Sequence, residues 1–167
     1  MSIAALNELD RPALREVLGL CNGSGVWVEK MLVLFPVLTE EGLLQEASRV
    51  WYECGEADWR EAFSHHPKIG DLDSLRKKFA ATGQWAAGEQ SGVQSAPEQV
   101  LTALAAGNEE YEKKFGYIFI VCATGKSAAE MLSLLRERLD NDPEKEILVA
   151  MGEQEKITDI RLKKLLS

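Results

Sequence analysis

The chain has two histidines, and they are adjacent: His65 and His66, within Ser64-His65-His66-Pro67-Lys68-Ile69-Gly70-Asp71. Histidine titrates near neutral pH unaided, so imidazole proton chemistry has only this place to occur. Pro67 pushes His66 out of the helical region towards an extended backbone, and Gly70 offers a free turn. The pair therefore sits at the end of one element, on a fixed bend. Neighbouring residues on a helix diverge by about 100°, so the two imidazoles do not share one site. His66, held by Pro67, is the acid/base candidate. At a helix C-terminus the macrodipole favours imidazolium, which would suit a proton donor.

Two further features could hold a ligand. Gly88-Glu89-Gln90-Ser91-Gly92 places a carboxylate and an amide between glycines. Glu89 accepts, Gln90 both donates and accepts, and the pair suits a ligand with amide or urea edges. On the last helix, Ala150, Gln154, Ile157, Arg161 and Leu165 fall on one side, so Arg161 lies on or beside an apolar stripe. A guanidinium there suits a carboxylate or carbonyl. The ordinary alternatives are a packed imidazole at a helix end, a polar loop, and an arginine snorkelling to water. No H-x-x-x-H or H-E-x-x-H spacing supports a metal, and no G-x-G-x-x-G, phosphate loop or G-x-S-x-G occurs. Cys21, Cys54 and Cys122 are far apart and odd in number, which suits buried thiols in a reducing compartment. Trp27, Trp51, Trp59 and Trp85 read as core.

The elements that must position these residues are helical nearly throughout. Ser2 caps a short helix and Asp10-Arg11-Pro12 starts the next, which stops at Asn22-Gly23. Val26 to Leu38 reads as a buried helix with Pro36 disturbing its last turn. Thr39 caps another, and a short helix from Ala57 to Ser64 delivers the histidines. Asp71 or Asp73 caps the next helix, Ser95 and Pro97 open a long one, and Phe115-Gly116 ends it. Tyr117 to Ala123 has strand composition but no partner strand, so it is expected to be a buried helical or extended segment in an all-α protein. Ser127 caps the following helix, and Asp142-Pro143 starts the last.

A chain of 167 residues with 46% hydrophobic content is expected to form one domain, 1–167, with a real core. The net charge of −8, with 19 basic residues interleaved among 27 acidic ones, argues against nucleic acid as a partner. No apolar run approaches the roughly 20 residues of a membrane helix, and the start lacks the basic region of a signal peptide. A small-molecule substrate and a cytoplasmic location are the expectations.

Four motifs occur in order: His66-Pro67-Lys68-Ile69-Gly70, Glu89-Gln90, Phe115-Gly116-Tyr117-Ile118-Phe119-Ile120, and a late Arg161-Leu162. Together they resemble the OHCU decarboxylase family across essentially the whole chain. Lys68 and Thr124 depart from it, standing where arginine is frequent. The resemblance implies an all-α domain of that family's own type. It also implies cofactor-free decarboxylation of 2-oxo-4-hydroxy-4-carboxy-5-ureidoimidazoline to (S)-allantoin, with no metal. By the same resemblance His66 and Glu89 are catalytic, while Pro67, Gln90, Phe119, Ile120, Val121 and Arg161 bind substrate. A homodimer is implied as well. Two other readings stay open on residues alone: a helical interaction module, and a hydrolase acting on a urea-like substrate.

Overall fold

The computed structural model describes residues 1–68, 71–82 and 95–167. The described residues hold nine helices and no strand. They are α1 (Ile3–Asn7), α2 (Arg11–Cys21), α3 (Gly25–Leu32), α4 (Glu40–Glu53), α5 (Glu56–Ser64), α6 (Leu72–Thr82), α7 (Ser95–Phe115), α8 (Ala128–Leu139) and α9 (Pro143–Leu166). The side-chain caps explain most starts. Ser2, Asp10, Ser24, Thr39 and Ser127 each accept from a backbone N–H in the first turn of their helix. Asp71 does the same for α6, accepting from Ser74 N at 2.8 Å.

The expected helix from Val26 to Leu38 is corrected. α3 stops at Leu32, with Val33 and Leu38 72% and 93% exposed. Pro36 cannot donate to a helical ladder, and it restricts the residue before it. Asn7 instead secures this loop, donating to Val37 O at 2.8 Å and accepting from Val37 N at 3.0 Å.

The chain divides into two compact units. The first comprises Met1–His66 and Val149–Ser167, the second Pro67–Leu148. In the first, α1 to α5 and most of α9 bury Leu6, Leu18, Met31, Leu43, Phe63 and Leu162. Trp27 and Trp51 are core residues whose indoles donate to Ala47 O (3.0 Å) and Met151 O (2.8 Å). Each buried indole N–H thereby finds the acceptor it needs, sharing a carbonyl that already serves its own helix.

In the second unit α7 packs on α6 and α8. Arg76 of α6 grips Glu98 of α7 with two hydrogen bonds, at 2.7 and 2.9 Å. α7 ends at Gly116, whose φ of 83° needs a residue without a Cβ. Residues 118–123 then run without regular structure. Of the two forms expected for this apolar stretch, the non-helical one occurs.

Candidate active site

α5 carries the histidine pair to its C-terminal end, with His65 as the capping residue. The two rings part company. His65 is exposed and lies against Gly23, where a Cβ would come within 2.5 Å of its Cγ. His66 is half-buried, and its Nε2 lies 2.5 Å from Oε1 of Gln154 on α9. Burial, the largest influence, holds the His66 imidazole below its ordinary value of 6.5; the bond to Gln154 opposes this, and the charges of Arg161 and His65 assist it. Burial thus acts against the imidazolium that the helix end is expected to favour. Loss of hydration favours the neutral imidazole, the form that can act as a base.

Gln154 is fully buried on α9 and so is Thr158 one turn on, at 0% and 4% exposure. Two polar residues on a buried stripe need partners. Gln154 Nε2 donates to Thr158 Oγ1 at 3.2 Å, and the Thr158 hydroxyl donates to Gln154 O at 3.0 Å. Asn22 Nδ2 also donates to Thr158 Oγ1, at 3.3 Å. The buried stripe of α9 runs through Ala150, Gln154, Thr158 and Leu162, and Arg161 sits at its edge, half-buried. Arg161 Nη1 donates to Cys21 O at 3.4 Å, a long bond. Among the described residues no carboxylate forms an ion pair with it. Burial pushes the Cys21 thiol up to about 11, so it is no nucleophile at neutral pH.

The first unit thus brings together His66, Arg161 and Gln154, with the Cys21–Ser24 loop beneath them. Sequence reasoning placed Gln154 on the Arg161 side of α9 but gave it no role. The signal was available: a glutamine two turns before the arginine, within an apolar stripe.

The second unit holds Pro67, Phe119, Ile120 and Val121. Among the described residues no backbone–backbone hydrogen bond engages the N–H groups of Phe119, Ile120 or Val121. An ion pair sequence reasoning missed organises this segment. Arg138 and Glu146 are 6% and 0% exposed and meet at 2.9 Å. Arg138 Nη1 donates to Ile120 O at 2.5 Å, and its guanidinium lies 4.5 Å from the Phe119 ring centroid. Tyr111 Oη donates to Glu146 Oε2 at 2.7 Å. Burial alone would lower the Arg138 guanidinium; Glu146 and Tyr111 outweigh it and hold it raised.

Glu89 and Gln90 lie outside the described residues. The two departures from the family pattern are exposed: Lys68 pairs with Glu112 at 2.8 Å, and Thr124 occupies a turn. Among the described residues no group of three or more His, Cys, Asp or Glu could hold a metal. None of the described helices is long and apolar enough to cross a membrane. A groove of about 260 Å³ in the first unit is lined by α4 and α9 residues, including Ser48, Trp51 and Glu155, but not by His66 or Arg161.

The family model described as OHCU decarboxylase matches residues 7–163. The chain belongs to the OHCU decarboxylase family. It is 39% identical over 152 residues to the uric acid degradation bifunctional protein TTL of Arabidopsis thaliana, covering 89% of this chain and 46% of that protein. It is 32% identical over 109 residues to the 2-oxo-4-hydroxy-4-carboxy-5-ureidoimidazoline decarboxylase of Amia calva, covering 60% of this chain and 57% of that one. The chain thus spans about half the length of these curated relatives. The crystal structure of an OHCU decarboxylase in the presence of (S)-allantoin superposes with a TM-score of 0.69 at 37% identity, over 89% of this chain and 95% of that one. The all-α expectation is met by the helices and by this match.

Proposed function

We propose that this chain is a carboxy-lyase that converts 2-oxo-4-hydroxy-4-carboxy-5-ureidoimidazoline to (S)-allantoin. The observation that carries the reading is a half-buried His66, hydrogen-bonded to Gln154, set in a family match that spans residues 7–163. Loss of CO₂ leaves an electron pair on the ring carbon, and the substrate's adjacent C=N bond accepts it as an enol-amine. One proton must then reach one face of the ureido-bearing carbon while the hydroxyl becomes a carbonyl. No cofactor is required for that sequence. His66 takes the hydroxyl proton, and Glu89 shares in its delivery. Arg161 holds a carboxylate or carbonyl oxygen. Gln90 and the backbone of Phe119, Ile120 and Val121 grip the amide edges, and Pro67 fixes the approach to His66. Residues 1–167 act as one catalytic domain, cytoplasmic and homodimeric; sedimentation velocity on the purified protein tests the dimer.

The decisive assay mixes the protein with freshly ring-opened urate-oxidation product and follows the circular dichroism of allantoin. An optical signal of the S enantiomer, growing well above the spontaneous rate and indifferent to chelator, is expected. Racemic product at the background rate would end the decarboxylase reading.

A further inference from the structure

We infer that Gln154 is a positioning residue that locks His66 in one tautomer, with the proton on Nε2 and Nδ1 bare as the working base. This rests on the reading that His66 handles the proton. The Thr158 hydroxyl has one hydrogen, which goes to Gln154 O at 3.0 Å. Its oxygen then has two acceptor positions, and these receive Gln154 Nε2 at 3.2 Å and Asn22 Nδ2 at 3.3 Å. The Gln154 amide must therefore face Thr158 with its NH₂, which turns Oε1 towards His66. An amide oxygen only accepts, so the Nε2 of His66, 2.5 Å away, must donate.

The opposite arrangement is poorer by one bond. Turning the amide over would make Thr158 donate to Oε1 and forfeit its bond to the backbone carbonyl. In a site where Gln154 is 0% exposed, that lost bond has no water to replace it. Asn22 is held in turn, since its Oδ1 accepts from Ser24 N at 2.9 Å. The chain Ser24–Asn22–Thr158–Gln154–His66 thus fixes each polarity from the backbone outward to the imidazole. This is the role an orienting partner plays for any histidine base: it removes the tautomer that cannot react.

The test uses the intact protein labelled with ¹⁵N-histidine. There are only two imidazoles to assign, and His65→Gln identifies the other. Above pH 7.5 the His66 spectrum is expected to show a protonated Nε2 and a bare Nδ1. A protonated Nδ1, or an even mixture of tautomers, overturns the inference. Kinetics supply the second arm. Gln154→Met removes the acceptor and is expected to lower kcat by about tenfold or more, with KM within about twofold, since orientation of a general base is lost rather than substrate affinity. Gln154→Glu, of the same shape, is expected to raise the pH at which activity falls on the acid side, because a carboxylate stabilises imidazolium. An unchanged pH profile in Gln154→Glu counts against the inference even if Gln154→Met does not fold. His66→Ala separates the two readings. Near wild-type turnover in that variant sinks the catalytic role of His66, whereas the wild-type spectrum alone decides the tautomer.

Discussion

His66 ties its titration to both activity and stability, with signs that can be checked. Its folded value is depressed below 6.5 by burial. Activity that needs the neutral base should hold from neutrality downward and fall only once the pH drops below 6.5, on a limb that a kcat/KM profile records. In the unfolded chain the imidazole binds its proton more readily. The unfolded state therefore gains protons first as the pH falls, and His66 contributes stability that is present above 6.5 and lost towards its folded value. Urea midpoints measured between pH 7.5 and 5 should show this slope in the wild type and less of it in His66→Gln. His66→Ala is expected to lower kcat by about 10²–10⁴, the usual worth of a positioned acid/base group. Arg161→Ala should act mainly on KM, since a charge-assisted hydrogen bond contributes about 1.5–3 kcal/mol. If KM is unchanged and kcat alone falls, Arg161 is not an anchor for the ground-state substrate.

At the scale of elements, much of the site's support was legible because local rules govern it. Ser2, Asp10, Thr39, Asp71 and Ser127 announce helix starts through the same side-chain chemistry they use in the structure. The apolar stretch after Gly116 was legible as an exception, since a lone strand cannot satisfy its backbone groups. What holds it was not legible. Arg138 and Glu146 lie on two helices, separated by a turn, and in sequence they look like members of two solvated charge patterns. Only packing shows that both are buried and that Arg138 spends a donor on Ile120 O. Replacing Glu146 with Leu leaves the Arg138 charge unpaired and should cost about 3–5 kcal/mol in chemical denaturation. The double variant Arg138→Met/Glu146→Leu should recover much of that stability yet still bind substrate poorly, because the Ile120 carbonyl has lost its tether. Restored KM in the double variant would show that the pair serves folding alone.

For the molecule as a whole, fold class, net charge and family were readable from composition and four ordered motifs, because none of them depends on a particular contact. The partners of His66 were not, because they join residues 88 positions apart. Glu89 and Gln90 keep their roles as proposals that only substitution can test. Global stability offers a check on the proposed activity that needs no unstable substrate. A ligand that binds only the folded state stabilises it by about 2.7 kcal/mol at a hundredfold excess over its Kd. (S)-Allantoin should therefore raise the melting temperature in a concentration-dependent way. The R enantiomer should do so less, and Arg161→Ala should blunt the response. Equal shifts with both enantiomers would argue that the site does not read the stereocentre.

Gly23 touches no substrate in any of these proposals, yet a methyl group there would fall 2.6 Å from His65 Cβ and 2.5 Å from its Cγ. These atoms are near the backbone, so relief requires moving the end of α5, and His66 moves with it. A natural variant carrying alanine at this position would retain every catalytic side chain and is still expected to lose activity, which the allantoin assay on Gly23→Ala checks. Screening genomes for intact site residues alone would score such a gene as working.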